Sequence, residues 1–395
     1  QFVDMAMALL HRLVVVNKRS PYAGDGGVKA ILANYSEVHS ELGVKESELQ
    51  QIADELWSHR GESLILAGGL MAQSEQALSL QIAVNFLNSV LGNDGQTIDY
   101  KYLNYKSHQG QFGDLVSLVE DIESGKVKRL VIYGTNPIYF APKSLGLFAA
   151  LQKLETLIYV GQHLDETALT ADYVATEHHA LENWGDVEVQ NEVLSLQQPT
   201  IQPLYNTRSF QDSLITWLKL GKKSSGASNR SKDWYEYLTN QWREIHRKYR
   251  GQGIARLDFD DFWIRLKQDG VFDMSGRARE STASSRSFAL GTLNQVKKKP
   301  ASGLELVLYE TVGLRDGSLA NISWLQELPD PVTRICWDNY LCISPKVAEK
   351  EKLQEGQVVE LVVSNEKRRV PVHIQPGQHD EVLALAVGYG LTAAG

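Results

Sequence analysis

The chain has 395 residues, enough for two or three ordinary domains. It carries 40 Lys and Arg residues against 48 Asp and Glu residues, a formal net charge of −8, and 43% of its residues are hydrophobic. This composition is typical of a globular protein and excludes a disordered tail, a collagen-like fibre and a nucleic-acid-binding protein that relies on overall basicity. No run approaches the ~18 continuous apolar residues of a membrane-spanning helix.

The two cysteines, Cys336 and Cys342, have no neighbouring His or Cys at ligand spacing. A zinc site or a cubane iron–sulfur cluster needs about four soft ligands, so we expect any such cluster to lie outside this chain. We predict two reduced, partly buried thiols near a strand, and spacing alone leaves a disulfide open. Because the chain begins within a predicted helix and ends just after a predicted strand, we expect it to be a piece of a longer protein.

The first part of the chain is predicted to be a helical lead-in, followed by an α/β domain. Residues 1–62 have helical patterns that break at a Gly/Pro-rich stretch, 20–27. Over 63–208, helices alternate with apolar strands, which indicates a parallel sheet with helices on both faces. The strands of this domain are predicted at 63–67, 129–133, 156–160 and 171–175, and its helices at 80–91, 115–122 and 144–154.

The rest of the chain is predicted to contain a helical segment and a β domain. Residues 209–302 have three aromatic stripes at helical spacing and two linkers, 221–232 and 275–302, and Ser209 with Asp212 is a predicted helix cap. Residues 303–395 have period-two patterns typical of a compact β-barrel. Its strands are predicted at 304–309, 332–337, 357–363, 368–374 and 381–387, with one helix that begins after Ser344.

Few residues suggest chemistry by themselves. Gly68-Gly69 follows a predicted strand, but a tight turn explains it more simply than an anion site. Glu177-His178-His179 is favoured as a polar loop over a metal site, because neighbours on a strand point to opposite faces. The turn Gly134-Thr135-Asn136-Pro137 follows an apolar strand at the edge where ligands of open α/β sheets gather, although these residues alone favour a purely structural turn.

Three motifs in a fixed order make the sequence more informative. The Gly134–Pro137 turn is followed by Glu166-Thr167-Ala168-Leu169-Thr170-Ala171-Asp172 and then by Glu182-Asn183-Trp184-Gly185. This order resembles the molybdopterin oxidoreductase superfamily, and residues 303–395 are similar to the dinucleotide-binding domain of that family. The resemblance implies an α/β fold with a C-terminal β-barrel and an oxidoreductase of a respiratory electron-transport chain.

Further segments resemble one branch of this superfamily. Residues 316–321, 324–331 and 337–340 are similar to the large iron–sulfur subunit of alternative complex III, a quinol oxidoreductase. That resemblance implies a periplasmic location, membrane association through partner subunits, and iron–sulfur clusters in a ferredoxin-like domain of the same parent chain. It implies no direct membrane span, and no nucleic-acid partner is expected.

Departures from the family pattern favour a scaffold without a cofactor. Val193 and Leu194 stand where active members carry a glycine and an arginine, and the Gly-x-Asn-Pro turn continues into Ile138-Tyr139-Phe140. We expect these apolar side chains to fill space that a pterin pyrophosphate needs. The alternative is a fragment of an active oxidoreductase that binds molybdopterin guanine dinucleotide (Mo-bisMGD) between the α/β and barrel domains. Its cofactor-binding residues would be Gly134, Asn136, Pro137, Thr167, Glu182 and Gly185; no catalytic residue or metal ligand is assigned.

Overall fold

The computed structural model describes most of the chain, and the described residues are 1–69, 75–98, 110–190, 192–220, 231–274, 287–297, 303–363 and 366–393. Most of the two predicted linkers, including residues 298–300, lies outside these ranges. The described α-helices are α1 (Phe2–Leu10), α2 (Gly26–Ala33), α3 (Val38–Glu41), α4 (Glu46–Ser58), α5 (Ala77–Val90), α6 (Phe112–Glu123), α7 (Pro137–Phe140), α8 (Leu147–Leu151), α9 (Phe210–Leu220), α10 (Trp234–Lys248), α11 (Phe259–Asp269), α12 (Ser323–Gln326) and α13 (Pro345–Glu351).

The described strands form three sheets. They are β1 (Arg129–Tyr133), β2 (Thr156–Gly161), β3 (Tyr173–Thr176), β4 (Gly185–Gln190), β5 (Val193–Gln197), β6 (Val271–Asp273), β7 (Glu305–Glu310), β8 (Leu341–Ile343), β9 (Val358–Val363), β10 (Glu366–Ile374) and β11 (Val382–Val387). The sheets have the strand orders β1-β2-β3, β4-β5-β6 and β7-β11-β8-β10-β9. The chain is therefore a mixed helix and sheet protein.

Two compact units divide the chain. One comprises Gln1–Tyr100 and Ala283–Tyr389, and the other comprises Lys101–Thr282 and Gly390–Gly395. This division rests on compactness alone, and the predicted domain boundaries after residues 62, 208 and 302 stay predictions. In the described part of the chain, no helix is both long enough and apolar enough to cross a bilayer.

The parallel sheet predicted from the apolar runs is confirmed. β2 pairs in parallel with β1 on one side and with β3 on the other. One face packs against α6 and α8 around Ile132, Leu157 and Tyr159, because strand side chains alternate between the faces. On the other face Val131 and Tyr133 are 42% and 43% exposed, so the described helices cover it only in part.

The N-terminal region is helical, as predicted, but its first predicted strand is wrong. Residues 63–68 are extended and form no strand in the described structure. Instead, the Asn88 side chain accepts a hydrogen bond from Ile65 N at 3.0 Å and donates one to Ile65 O at 2.8 Å. An amide on α5 thus replaces a neighbouring strand. The core beneath it is built from α1, α2, α4 and α5, with Phe86 and Leu10 fully buried.

The second predicted helical region is confirmed, and it packs on a sheet that the sequence did not predict. Ser209 and Asp212 cap α9 through hydrogen bonds of 2.7 and 3.0 Å. The aromatic stripes of α10 and α11 meet around Trp242 and Phe262, both fully buried. β4, β5 and β6 are antiparallel and add Leu196 and Phe272 to this aromatic core.

The C-terminal sheet confirms most of the predicted β pattern. The strands predicted at 304–309, 357–363, 368–374 and 381–387 correspond to β7, β9, β10 and β11. Ser344 caps α13 by accepting a hydrogen bond from Val347 N at 3.1 Å, as predicted. The strand predicted at 332–337 is wrong, because Asp330 Oδ1 binds the N–H groups of Val332 and Thr333 and folds this segment into turns.

The two cysteines both follow the Asp330 turn in the chain. Cys342 is buried in β8 and Cys336 is half-buried, and both are free thiols. Burial raises the pKa of the Cys342 thiol to about 11, so it stays protonated at neutral pH.

Candidate functional site

The predicted turn after β1 begins with a glycine in the left-handed region. Gly134 has a φ of +63°, a conformation that favours glycine, and its N–H donates to Val160 O at 2.9 Å. A Cβ added at Gly134 would meet no atom within 4 Å. The backbone of this turn therefore faces open space at the carboxyl edge of the parallel sheet.

Asn136 and Thr167, two of the predicted site residues, contact each other. Asn136 Oδ1 accepts a hydrogen bond from Thr167 Oγ1 at 2.7 Å, and Thr167 Oγ1 accepts one from Ile138 N at 3.2 Å. The two side chains are only 8% and 0% exposed. The turn after β1 is thus tied to the segment after β2, and the polar atoms that join them are turned toward each other.

Glu166 completes this network, although it was not among the predicted site residues. Its Oε2 accepts from Asn136 Nδ2 at 2.7 Å, and its Oε1 accepts from Thr392 N, Thr392 Oγ1 and Ala393 N at 2.6, 3.0 and 3.1 Å. Partial burial acts to raise the pKa of Glu166, but these hydrogen bonds outweigh it and lower the pKa to about 2. The carboxylate is therefore charged at neutral pH and holds the C-terminal segment against the turn.

The same segment contains a second, deeper carboxyl. Asp165 accepts a hydrogen bond from the Tyr159 hydroxyl at 2.6 Å and another from Ala168 N at 2.8 Å. Burial and this hydrogen bond raise the pKa of Tyr159, so it remains a neutral donor. Asp165 and Tyr159 fix the segment on β2 and so set the positions of Glu166 and Thr167.

The apolar residues after the turn have two different surroundings. Pro137 is the first residue of α7, and Ile138 packs into the core beneath the parallel sheet. Phe140 is 42% exposed, and its ring lies edge-on to Tyr139 at 5.1 Å. Of the three side chains expected to fill a cofactor groove, Ile138 is thus committed to the core.

Glu182 and Gly185 lie in a separate turn. Glu182 accepts hydrogen bonds from His179 N and Leu204 N, each at 2.9 Å, and Gly185 begins β4 opposite Gln197. Within the described ranges, no hydrogen bond joins Glu182 or Gly185 to Asn136 or Thr167. The predicted site residues therefore form two groups, one around Asn136 and one around Glu182.

The two residues that depart from the family pattern lie on β5. Leu194 packs into the aromatic core between the antiparallel sheet and α10, and Val193 pairs with Asp273 of β6. Leu194 is therefore a structural side chain of this core. The contact explains why an apolar residue suits this position.

A third polar cluster lies at the ends of β1 and β3. The Tyr133 hydroxyl donates to Glu177 at 2.6 Å, and the Tyr133 ring stacks on Phe210 with centroids 4.2 Å apart. Burial raises the pKa of Glu177, although its hydrogen bonds from Tyr133 and the Phe210 backbone act in the opposite direction. One signal in the sequence points to this cluster, since Tyr133 ends one predicted strand and Glu177 closely follows another.

No group of three or more His, Cys, Asp or Glu side chains that could hold a metal ion occurs among the described residues. His178 is hydrogen-bonded to Thr207 at 2.5 Å, and His179 accepts from Leu181 N at 3.1 Å. The two adjacent imidazoles thus serve different turns.

Comparisons with known proteins gave a sequence relative and a similar fold. No family model matches the chain. The chain is 25% identical, over 418 aligned residues, to the "menaquinone reductase, molybdopterin-binding-like subunit" of Nitratidesulfovibrio vulgaris; the alignment covers 98% of this chain and 56% of that protein. This chain thus spans little more than half the length of the relative.

A solved structure gives the same answer for the fold. Acetylene hydratase from Pelobacter acetylenicus matches with a TM-score of 0.62 and 12% sequence identity, over 99% of this chain and 65% of that one. The sequence relative, whose name is molybdopterin-binding-like, confirms the resemblance that the ordered motifs predicted, and the solved structure shows that the fold is shared.

Proposed function

We propose that this chain is part of a molybdopterin-oxidoreductase-like subunit of a quinol-oxidising respiratory complex, and that it is a scaffold without a cofactor. The scaffold would hold a cluster-bearing domain and partner subunits in place. Because the chain spans just over half of its sequence relative, the activity of the whole protein is part of this proposal.

One observation carries the scaffold proposal: the polar groups of the candidate site are already paired within the chain. The Asn136 carbonyl oxygen accepts a hydrogen bond from Thr167, and the Asn136 amide nitrogen donates one to Glu166. Both carboxylate oxygens of Glu182 accept hydrogen bonds from backbone N–H groups. An anionic cofactor needs donors that are free to bind it, since breaking a buried hydrogen bond costs about 1–3 kcal/mol. The side-chain donors present here therefore do not fit a pterin pyrophosphate well.

The sequence relative supports the respiratory part of the proposal. Its name describes a subunit of a menaquinone reductase that is only like a molybdopterin-binding protein. By analogy, the partners of this chain would be other subunits of a membrane-bound complex and a ferredoxin-like iron–sulfur domain of the same parent chain. We retain the periplasmic location and the alternative complex III branch as proposals based on the sequence resemblance. Closure of β7–β11 into a dinucleotide-binding barrel belongs to the same proposal.

Two observations favour the alternative, an active Mo-bisMGD-dependent oxidoreductase. The space beside Gly134 is open, and Ile138 and Leu194 pack into cores, so neither side chain fills that space. Under this alternative the cofactor would be held by Gly134, Asn136, Pro137, Thr167, Glu182 and Gly185 and would supply the redox-active metal. The backbone at Gly134 would then make the closest approach.

Metal and pterin analysis of the full-length parent protein tests the proposal. The protein is purified from cells supplied with molybdate and tungstate, and a molybdenum enzyme from the same cells serves as the loading control. We expect less than about one tenth of a molybdenum or tungsten atom per chain and no pterin fluorescence after acid oxidation. About one metal atom per chain would overturn the scaffold proposal and establish the alternative.

A variant separates the two functions further. Asn136→Ala removes the side chain at the centre of the candidate site. If the alternative holds, this variant loses bound pterin while the wild-type protein keeps it; if the scaffold proposal holds, the pterin content of the two proteins is equally low.

A further inference from the structure

Residues 311–340 form a loop that is folded on itself, and we name it the apolar loop. Trp337 N donates to Gln326 O at 3.1 Å, Asp330 N donates to Ile335 O at 3.0 Å, and Thr311 bridges to Arg315. The Asp330 carboxylate binds two further N–H groups of its own turn. The backbone of the loop thus satisfies many of its own hydrogen bonds, as compact functional loops do.

The apolar loop is seated closely on the rest of its unit. A Cβ added at Gly388, outside the loop, would lie 2.8 Å from Arg315 O, and within the loop one added at Gly313 would lie 2.8 Å from Leu325 O. Asn339 Nδ2 donates to Ala386 O of β11 at 2.9 Å. These approaches leave no room for a side chain at either glycine, so the loop has a defined position.

The loop also holds a concentration of backbone strain. Arg315, Arg334 and Trp337 have φ values of 53°, 65° and 67°, and they are three of the six non-glycine residues with positive φ in the described structure. Each left-handed residue costs about 1–2 kcal/mol, and such strain clusters at functional sites. The fold therefore maintains this loop conformation against a local cost.

The strained, rigid loop presents large apolar side chains to the exterior. Six of them are well exposed: Val312 at 68%, Ile322 at 46%, Trp324 at 82%, Leu328 at 45%, Val332 at 69% and Trp337 at 53%. Val312, Leu328 and Trp337 line one pocket together with Pro329 and Ile335, so they belong to a continuous surface. An apolar patch of this kind marks an interaction site, and tryptophan is enriched among the residues that anchor such sites.

The charges around the patch are mostly negative. Residues 311–340 contain the four carboxylates of Asp316, Glu327, Asp330 and Asp338, two arginines and no lysine. A membrane surface is a poor match, because peripheral membrane contacts use Lys and Arg against anionic headgroups. A second copy of the chain is also a poor match, because a two-fold contact would place these carboxylates against one another.

We propose that the apolar loop is a docking surface for a different protein, whose contact area has an apolar recess bordered by Lys or Arg. Trp324 is the anchor that enters the recess, and Glu327 and Asp338 meet the basic rim. Opposite charges at such a rim set orientation and association rate, while the buried aromatic residue carries most of the affinity. This docking function does not depend on whether a pterin cofactor binds.

Photo-crosslinking in the full-length protein tests this proposal. Trp324 is replaced by p-benzoylphenylalanine in the native cells, and Leu66, which is 78% exposed in the same unit, is replaced in a control protein. We expect one abundant crosslinked polypeptide from the Trp324 position and none from the Leu66 position. Mass spectrometry should locate the crosslink in a partner segment rich in Lys or Arg.

Charge reversal makes the test specific for the proposed chemistry. Glu327→Lys and Asp338→Lys together should lower the yield of the Trp324 crosslink at least tenfold, whereas Arg334→Glu should not lower it. Thermal unfolding of each purified variant checks that the fold is intact. Absence of a crosslinked protein, crosslinks only to lipid or to a second copy, or a yield that ignores the charge reversal would each overturn the proposal.

Discussion

The turn around Asn136 and the apolar loop depart from the usual distribution of side chains in opposite ways. The turn buries polar groups, with Thr167 fully buried and Asn136 nearly so, whereas the loop exposes Trp324 to 82% of its area. In the turn, the buried polar side chains are satisfied within the chain, because Asn136 forms hydrogen bonds with both Thr167 and Glu166. In the loop, the described part of the chain offers nothing that covers the indole ring.

The difference between the two regions distinguishes residues that stabilise the fold from residues that are available to bind another protein. A buried polar group is stable only when it is hydrogen-bonded, so the hydrogen bonds of the turn around Asn136 contribute to the stability of the fold. An exposed aromatic side chain contributes little to folding, so the exposed side chains of the apolar loop indicate an interaction surface. Substitutions in each region test this contrast.

Asn136→Leu should be strongly destabilising. The substitution keeps the volume similar but leaves the Thr167 hydroxyl without its acceptor and removes one of the four hydrogen bonds that the Glu166 carboxylate accepts, which should lower the free energy of unfolding by about 2–3 kcal/mol. Urea titration measures this change. Asn206→Leu, at an exposed bend, is the matched control and should have almost no effect. Equal stability of the two variants would contradict the network described around Asn136.

Glu166→Gln should have a smaller effect that depends on pH. The hydrogen bonds that lower the pKa of Glu166 from 4.5 to about 2 stabilise the folded protein when the carboxylate is charged. This contribution is present above pH 4.5 and is lost as the pH falls toward 2. Solvent screening reduces it, so we expect a loss of about 1 kcal/mol at pH 7.

The measurement for Glu166→Gln is the free energy of unfolding at several pH values. The difference between variant and wild type should shrink as the pH falls below 4.5 and be mostly lost near pH 2, where about half of the Glu166 side chains are protonated in the folded protein. Glu120→Gln on the exposed face of α6 is the control and should show no such trend. A difference that is constant from pH 7 to pH 2 would contradict the role assigned to the charge.

Arg334→Gly should stabilise the apolar loop slightly. Arg334 is exposed and has a φ of 65°, a conformation that glycine adopts without a steric cost. The relief of strain exceeds the entropy that glycine adds to the unfolded chain, and we expect a net gain of about 0.5 kcal/mol. Calorimetry measures the gain, and Arg334→Ala, which keeps a Cβ, should not show it.

Trp324→Ala should leave stability unchanged within about 0.5 kcal/mol, because the side chain packs against little of its own protein. Trp242→Ala is the contrasting control: that indole is fully buried, and its removal should cost about 3–5 kcal/mol. The two tryptophans thus compare an exposed with a buried aromatic residue in one chain. A large loss of stability for Trp324→Ala would show that the loop serves the fold.

Most of the regular structure follows from local sequence patterns. The apolar runs of β1 and β2 and the Ser344 cap were correctly predicted, because each depends on neighbouring residues. The strand expected at 332–337 failed because an Asp330 turn and two left-handed residues override its apolar pattern. No strand was predicted at β4, although Val187 and Val189 alternate with polar residues, because β4 begins at Gly185 of the Glu-x-x-Gly family motif.

The sequence predicted the residues of the candidate site but not the hydrogen bonds that join them. The edge of a parallel sheet pointed to Asn136, and the motif order added Thr167, but nothing local shows that they bind each other. The bonds from Thr392 and Ala393 to Glu166 join positions far apart in the chain, so no spacing rule reveals them. The separation of Glu182 from Asn136 is likewise a consequence of tertiary structure.

The pairing of Asn88 with residue 65 has a consequence for the ageing of this protein. Its amide donates to the carbonyl oxygens of Ile65 and Val84. Asparagine is among the residues most prone to spontaneous chemical damage, and deamidation would turn that nitrogen into an oxygen. Two acceptors would then face a third, and the segment after α4 would lose one of its hydrogen bonds to α5, while those from Ile65 N to residue 88 and from Gln81 to Ala67 O remain. One slow covalent change at a single buried amide would thus weaken the attachment of this segment to the N-terminal core.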